Sequence, residues 1–447
     1  MKITINNSLC QVSDFTQEQY KALRSLLSYS EATVSRYAGY TSVRKYLIDR
    51  RGVFCTGLLP RVLEAHPELE LIDRRIAPTR LPAGSLALKL PYAPRAWQSA
   101  AINALEGLNR GLVIAPTGAG KAQWLSMVIQ HYQLRTLLVV PTLELKTQIT
   151  ESLKSCFGRD KVGPLSKDGS TPFLISVENV DSMNPKVKPK GVNLLILDEY
   201  HSSSTKTYRD LNTKAWTDIY ARIGCTATPY RNLSEETLLF ESILSEVIYE
   251  LVYLDAVRDK CIVPANFFYY ELPPIKLKGN PKSYATMVSE CIIERKDRNE
   301  LIVETICTLE DAGESTLVLL NEIRHGEIIQ DMLKKKGRTV AFANGENPDN
   351  RGLLLEFNLK QRKTLIATGV LGVGVDTKPA TFVLLVGGGK SKPKFIQAVG
   401  RVLRTSPGKE AGNVVLFFDK SHKWFIAHFK EVMKHIKAEY STVPVKL

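Results

Sequence analysis

The stretch GLVIAPTGAGKA, residues 111–122, decides the fold of this chain. It joins an apolar β-strand to a glycine-rich turn, and a helix is predicted to follow from Gln123 to Tyr132. Glycines let backbone N–H groups curl around phosphate oxygens, the helix N-terminus adds a favourable dipole, and Lys121 can reach the outer phosphates. The stretch therefore predicts a phosphate-binding loop at the carboxyl end of a strand.

The loop departs from the full phosphate-binding pattern at its first and last positions. Ala115 stands where a glycine usually opens the loop, and Ala122 stands where Ser or Thr normally offers a hydroxyl to Mg²⁺. The core of the pattern is intact, and the residues expected to contact a nucleotide are Thr117, Gly118, Ala119, Gly120, Lys121 and Ala122. A chance glycine-rich turn is the alternative interpretation, which the motifs further along the chain make negligible.

Length and composition fit a large, ordinary globular protein. The chain has 447 residues, enough for about three domains. Apolar residues make up 44% and charged residues 24%, and the net charge is +14. This charge favours a polyanionic partner such as nucleic acid, although basic enzymes without such a partner exist.

Cysteine spacing and hydropathy indicate in which cellular compartment the protein is expected. The seven cysteines are scattered singly and none has Cys-x-x-Cys spacing, so we expect neither a disulfide framework nor a tightly bound metal cluster. The N-terminus lacks an apolar signal core, and no run approaches the roughly 18 apolar residues of a membrane span. We therefore expect a cytoplasmic protein with no membrane partner.

The first 90 residues carry none of the nucleotide motifs. They hold 13 Lys or Arg against 8 Asp or Glu, a net charge of +5. A capped helix is predicted over Thr16 to Ser28 and a second helix near Val43 to Arg51. Residues 1–88 are interpreted either as an accessory nucleic-acid-binding domain or as a small α/β domain with a solvated charged face.

From about residue 90, short apolar strands alternate with amphipathic helices, which is typical of a parallel sheet covered on both faces. The first predicted strands are Gly111 to Ala115, Thr136 to Pro141, Phe173 to Val177, Leu194 to Leu197 and Ala221 to Cys225. The second series is Thr316 to Leu320, Thr339 to Phe342, Thr364 to Ala367, Thr381 to Val386 and Asn413 to Phe418. We therefore predict an α/β protein with two similar parallel-sheet lobes, at residues 89–255 and 256–447, behind the small N-terminal domain.

The second strong motif is LLILDEYH at residues 194–201, an apolar strand that ends in two acids. Both carboxylates are then expected at the sheet edge where the phosphate-binding loop also opens. There Asp198 would hold Mg²⁺, and Glu199 would orient and deprotonate an attacking water. Acids in an ordinary loop are the alternative, which a preceding phosphate-binding loop disfavours.

Three further motifs follow. The turn Thr226-Ala227-Thr228-Pro229 can bond to the acidic pair and relay its state. Residues 366–376 combine a strand, glycines and an acid. In QAVGRVLR, residues 397–404, Arg401 and Arg404 lie three apart and are predicted to share one face of a helix. They can reach a terminal phosphate only if the two lobes close, and a solvated basic helix face is the alternative.

Taken together, these motifs resemble the superfamily 2 helicases and translocases of the DExH branch. The resemblance covers residues from about 90 to 420, with the family's motifs in the expected order. The upstream segment YAPRAWQ, residues 92–98, is similar to the family's adenine-recognising element. The resemblance adds nucleotide contacts at Arg95, Gln98, Gly372, Asp376 and Gln397, and it makes Lys121, Glu199, Arg401 and Arg404 the catalytic residues.

The resemblance implies an ATP- and Mg²⁺-dependent DNA motor whose lobes close on ATP and open after hydrolysis. Pro141, Thr142 and Thr368 fall in motifs that touch the nucleic-acid backbone in this family. The layout, a short N-terminal domain before two lobes, is similar to phage branch-migration helicases of the UvsW type. Such proteins act on forks, displacement loops and four-way junctions in replication, recombination and repair. The expected setting is the cytoplasm of a phage-infected bacterium, with the protein as a monomer.

Two other functions stay open. Because Ala122 removes the Mg²⁺ hydroxyl, the chain is alternatively a nucleic-acid-binding scaffold or annealing protein with a weakened ATP site. It is also alternatively an RNA helicase of the same superfamily, although Asp-Glu-Tyr-His, rather than the Asp-Glu-Ala-Asp of many RNA helicases, favours DNA.

The segment FFYY at residues 267–270 has two interpretations. Followed by Pro273-Pro274 and a basic stretch from Lys276 to Lys282, it predicts either a wedge that stacks on bases and splits strands or an apolar strand opening the second lobe. The strand explains the aromatic residues more simply.

Overall fold

The computed structural model describes residues 1–35, 39–199, 205–227, 234–277, 283–369, 377 and 379–447. The chain divides into two compact units. The first comprises Met1–Ala115 and Gly120–Leu251, and the second comprises Pro116–Ala119 and Val252–Leu447. In the described part of the chain, no helix is both long and apolar enough to cross a membrane.

The first unit begins with a small α/β domain. Its elements are β1 Lys2–Ile5, β2 Leu9–Ser13, α1 Gln17–Leu26, β3 Ser28–Ser35, β4 Gly39–Tyr46, β5 Val53–Cys55, α2 Leu59–Ala65 and β6 Glu70–Asp73. Four strands form a sheet in the order β5-β2-β1-β6, and β3 pairs with β4 in a separate antiparallel hairpin. The domain packs closely on the rest of its unit, because Leu238 from a later helix enters its core and Arg61 pairs with Glu241 at 2.7 Å.

One of the two helices predicted in this domain is confirmed and the other is wrong. Helix α1 starts at Gln17 and is capped by Thr16, whose hydroxyl accepts from the Gln19 amide while the Gln19 side chain accepts from the Thr16 amide. The segment from Val43 to Arg51 instead supplies the end of β4 and a turn. The side chains of residues 42–46 are all exposed, so no apolar stripe holds a helix there and backbone pairing with β3 decides the conformation.

A seven-stranded parallel sheet forms the core of the first unit. Its elements are α3 Ala96–Asn103, β7 Arg110–Ile114, α4 Lys121–Tyr132, β8 Thr136–Val140, α5 Leu143–Phe157, β9 Val162–Gly163, β10 Ile175–Asn179, β11 Leu194–Asp198, α6 Thr205–Asp210, β12 Ala221–Thr226, α7 Ser234–Leu244 and β13 Val247–Glu250. The strand order is β13-β7-β12-β11-β8-β10-β9. Strand β12 therefore lies between β7, which leads into the phosphate-binding loop, and β11, which ends in the acidic pair.

The second unit repeats this architecture. Its elements are α8 Tyr253–Arg258, β14 Ala265–Leu272, α9 Tyr284–Val288, α10 Lys296–Asp311, β15 Thr316–Leu319, α11 Ile323–Lys335, β16 Ala341–Ala343, α12 Asn350–Asn358, β17 Thr364–Ala367, β18 Phe382–Leu385, α13 Lys392–Gly400, β19 Gly412–Asp419, α14 Lys423–Tyr440 and β20 Val445–Lys446. The seven strands run parallel in the order β16-β17-β15-β18-β19-β14-β20. The predicted fold class, two parallel-sheet lobes behind a small α/β domain, is confirmed.

The strand interpretation of FFYY is correct. Residues 267–270 lie within β14, which pairs with β19 on one side and β20 on the other. Phe267 is buried against Phe395 and Tyr440, and Tyr270 stacks on Phe417. These rings are committed to packing, so the wedge interpretation is wrong.

Candidate ATP site

The phosphate-binding loop has the backbone that its sequence requires. Gly118 and Gly120 adopt φ angles of +91° and +97°, a region that side chains disfavour. Within the turn, the Ala119 amide donates to the Pro116 carbonyl at 3.1 Å. Gly120 precedes α4, a helix of 12 residues, so Lys121 is its first residue. Strand, turn and helix thus follow one another as predicted.

Lys121 makes a buried ion pair with Glu199. Its Nζ lies 3.1 Å from Glu199 Oε1 and donates to the Ala115 carbonyl at 3.3 Å. Burial lowers the pKa of the Lys121 ammonium, but nearby negative groups, of which Glu199 contributes most, outweigh burial and raise that pKa above its ordinary value. The lysine is therefore held as a cation at the mouth of the loop.

Glu199 is fixed from the neighbouring strand. Its backbone has a φ of +47°, and its amide donates to the Cys225 carbonyl at 2.9 Å. Its Oε2 accepts from the Thr226 hydroxyl at 3.1 Å and from the Ala227 amide at 3.4 Å. These contacts are what the sequence led us to expect of the Thr226 turn, and they hold the carboxylate in one orientation.

Asp198 carries an unsatisfied buried oxygen. The residue is 5% exposed, and its Oδ1 has no hydrogen-bond partner among the described residues. Burial, followed by the charge of Glu199, raises the pKa of the Asp198 carboxyl. A bare carboxylate oxygen beside a second acid is a suitable ligand for Mg²⁺, so this position fits the ion. Ala122 supplies no hydroxyl, and the hydroxyl one turn further on, that of Ser126, donates to the Ala122 carbonyl.

The upstream element contacts the phosphate-binding loop. Gln98 is buried, its Nε2 donates to the Gly120 carbonyl at 2.9 Å, and its Oε1 accepts from the Arg95 amide at 2.8 Å. Gln123 also donates to Gln98 Oε1 at 3.4 Å and to the Tyr92 carbonyl at 3.1 Å. In this structure Gln98 ties the segment before α3 to the loop, and adenine contacts by Arg95 and Gln98 stay a prediction.

The three predicted nucleic-acid contacts lie at carboxyl ends of strands. Pro141 and Thr142 follow β8, and Thr142 caps α5 by accepting from the Leu145 amide at 3.2 Å. Thr368 follows β17 and its amide donates to the Ala343 carbonyl at 3.1 Å. Their predicted contacts with nucleic acid stay a prediction.

The arginines of the second unit are placed differently from the prediction. Helix α13 ends at Gly400, so Arg401 is its C-cap and Arg404 lies beyond it. Beyond Gly400 the amides of Arg401, Val402 and Leu403 donate to carbonyls three residues back, and the Leu403 carbonyl accepts from the Val263 amide at 2.9 Å. The two arginines therefore do not share a helix face. Gln397 lies inside α13 as expected.

Three of the predicted residues lie outside the described part of the chain, and the sequence analysis did not predict a role for one lysine near Arg404. Gly372, Asp376 and Thr228 belong to stretches that the structure does not describe. Lys409, which was not predicted, lies in the segment after Arg404, and the charge of Arg404 reaches it. The signal in the sequence was the Pro-Gly-Lys turn three residues beyond Arg404.

Comparisons with known proteins agree with this geometry. A family described as "Type III restriction enzyme, res subunit" matches residues 91–231, and "Helicase conserved C-terminal domain" matches residues 297–406. The chain is 23% identical to "DNA 3'-5' translocase XPB2" of Sulfurisphaera tokodaii over 82% of this chain and 86% of the relative. It is 24% identical to "ATP-dependent DNA helicase uvsW" of Enterobacteria phage T4 over 69% of this chain and 65% of the relative.

A solved structure shares the fold. Saccharomyces cerevisiae Dbp5 bound to RNA and ADP BeF3 superimposes with a TM-score of 0.59 over 79% of this chain and 90% of that chain, at 15% identity. The chain spans between 49% and 86% of the length of the curated relatives that it matches. With a phosphate-binding loop, an Asp-Glu pair and both helicase regions in order, the chain belongs to the superfamily 2 helicases.

Proposed function

We propose that this protein is an ATP-dependent DNA helicase or translocase that remodels branched DNA such as forks, four-way junctions and displacement loops. The observation that carries the proposal is the buried Lys121–Glu199 ion pair beside Asp198 Oδ1, which has no hydrogen-bond partner in the described part of the chain. A site that had lost its function would not be expected to keep a lysine, a general base and a bare metal ligand together in one buried place.

The residues of the first unit would divide the chemistry among them. The Lys121 ammonium would leave Glu199 and bind phosphate oxygens of ATP. Glu199, still held by the Thr226 hydroxyl, would then accept a proton from the attacking water. Asp198 would hold Mg²⁺, which when bound neutralises charge on the phosphates. Arg401 and Arg404 are proposed to stabilise charge on the terminal phosphate.

DNA is the proposed substrate because of the relatives' names and the charge. The relatives above are named as a DNA translocase and a DNA helicase, and the net charge of +14 suits a polyanion. Pro141, Thr142 and Thr368 would contact the backbone, and residues 1–88 would bind the duplex arms. We keep 89–255 and 256–447 as the boundaries of the two motor lobes.

Two other functions have a specific observation in their favour. Ala122 favours a scaffold or annealing protein with a weakened ATP site. Other relatives favour an RNA helicase, since one is named "Putative ATP-dependent RNA helicase L396" in Acanthamoeba polyphaga mimivirus.

The test is ATP hydrolysis measured without nucleic acid and with single-stranded DNA, duplex DNA, a fork, a four-way junction and RNA. We expect the strongest stimulation by branched DNA and none in Lys121→Ala. Stimulation by RNA alone would favour the RNA helicase. Tight DNA binding without hydrolysis on any substrate would favour the scaffold.

A further inference from the structure

The segment that carries Arg404 is fastened at both ends. On one side the Leu403 carbonyl accepts from the Val263 amide at 2.9 Å. On the other side Lys409 Nζ donates to the Ala380 carbonyl at 2.5 Å. Arg404 lies between these two bonds, so its position depends on both of them.

Lys409 reaches Ala380 because of the turn that precedes it. Gly408 adopts a φ of +76°, and the Lys409 amide donates to the Ser406 carbonyl at 3.1 Å. This turn leaves the Lys409 side chain partly buried rather than extended into solvent. The lysine is therefore directed inward by local backbone structure.

Arg404 interacts electrostatically with both Lys409 and Arg401. Burial, followed by the charge of Arg404, lowers the pKa of Lys409 to about 8. Burial, again followed by Arg404, lowers the pKa of Arg401 to about 9. The positive charge of Arg404 therefore contributes to the lowered pKa of both Lys409 and Arg401. Three positive charges held close together attract an anion more strongly than two do.

We propose that Lys409 is a positioning residue that holds the Arg404 segment against Ala380 and adds a third positive charge for the phosphate anion. The inference rests on the proposed ATPase function, because the anion is the terminal phosphate of ATP. Lys409 acts through Arg404 and through the electric field, and it needs no contact with the nucleotide.

The experiment compares Lys409→Met, Lys409→Arg and the control Lys437→Met, which removes an exposed lysine from α14 of the same unit. DNA-stimulated ATPase is measured from pH 7 to 9.5. We expect Lys409→Met to lower kcat about tenfold at pH 7, with little change in KM, and Lys409→Arg and Lys437→Met to stay near wild type. Above pH 8 the wild-type rate should fall as Lys409 loses its proton, whereas the rate of Lys409→Arg should fall only above about pH 9, where Arg401 loses its proton.

A measurement without turnover tests the coupling to Arg404. Since the pKa of Lys409 is lower in the folded than in the unfolded chain, the unfolded chain binds more protons above about pH 8, and stability rises with pH. The melting temperature of wild type minus that of Lys409→Met should rise between pH 8 and 10, and rise less in an Arg404→Met background.

The outcomes separate the two proposals. An inactive wild type would overturn the ATPase function, and the melting profile would then decide the coupling alone. An active wild type with Lys409→Met within twofold of it would overturn the role of Lys409. So would a loss of activity that Lys409→Arg does not rescue, because that loss would reflect packing and not charge.

Discussion

Each unit contains a buried ion pair, and the two pairs are held very differently. In the first unit Lys121 lies 3.1 Å from Glu199, and the lysine has one further described bond, to Ala115. In the second unit Arg295 lies 2.8 Å from Asp419, and both side chains are 1% exposed. Arg295 also bonds to Asp297, to the Pro273 carbonyl and to the Ser421 hydroxyl.

The difference shows that one buried ion pair serves ligand binding and the other serves the stability of the fold. Arg295 has almost no donor left over, so its pair can only hold α10 to the end of β19. Lys121, the first residue of α4 after the glycine turn, makes polar contacts only with Glu199 and Ala115 among the described residues, so an incoming phosphate can replace Glu199 at small cost. An ion pair with few other bonds, a lightly held pair, can give up its partner to a ligand, whereas an ion pair with all its donors engaged, a saturated pair, stabilises the fold. The following predictions test this contrast.

The largest effect is expected at the lightly held pair. Glu199→Gln keeps the size and the hydrogen-bonding capacity of the side chain but removes the base, so kcat should fall about 10²- to 10⁴-fold. ATP affinity should change little, and the melting temperature should stay near that of wild type. ATPase rates and nucleotide titrations check this. A variant that hydrolyses ATP normally would show that another group takes the proton.

The saturated pair should respond in the opposite way. Arg295→Met leaves the Asp419 carboxylate buried without its cation, and the free energy of unfolding should fall by about 3 to 5 kcal/mol. Denaturant unfolding measures the loss, and ATPase below the new melting temperature should be close to wild type. Loss of ATPase without loss of stability would remove the distinction between the pairs.

A smaller effect is expected at Thr226, which orients the Glu199 carboxylate of the lightly held pair. Thr226→Val removes the hydroxyl that donates to Glu199 and keeps the shape of the side chain. A hydrogen bond to a charged group is worth about 1.5 to 3 kcal/mol, so kcat should fall about 10- to 100-fold.

Thr316 offers a matched control for Thr226. It is equally buried on β15, and its hydroxyl has no hydrogen-bond partner among the described residues. Thr316→Val should leave both rate and stability unchanged. Equal effects of the two substitutions would mean that loss of a buried hydroxyl, and not orientation of Glu199, explains the result.

The smallest effect concerns the missing Mg²⁺ hydroxyl. Ala122→Ser restores the usual hydroxyl, and the Mg²⁺ concentration for half-maximal ATPase should fall a few-fold. Ala427→Ser, an exposed alanine on α14, serves as the control. No change in Ala122→Ser would indicate that water already fills this coordination position.

The sequence predicted the features that local pattern and covalent order control. All ten predicted strands of the two sheets are present, with ends shifted by at most two residues, because buried parallel strands form continuous apolar runs. The helix capped by Thr16 was also predicted from local sequence, because its cap is built from two residues only three positions apart. The phosphate-binding turn follows from its glycines.

Errors arose where pairing with another segment of the chain decided the conformation. Residues 43–46 pair with β3 as the end of β4, and the chain beyond Gly400 leaves the helix for a segment that the Val263 amide holds. Neither partner can be identified from the local sequence.

The sequence by itself determined which residues could do the chemistry, since a glycine turn, a lysine and two acids at strand ends are recognisable from spacing alone. Only the tertiary structure decided how they are held. Strand β12 is inserted between β7 and β11, so Thr226 reaches Glu199 and Lys121 reaches the same carboxylate. Strand order is set by packing over the whole sheet, and no local motif encodes it.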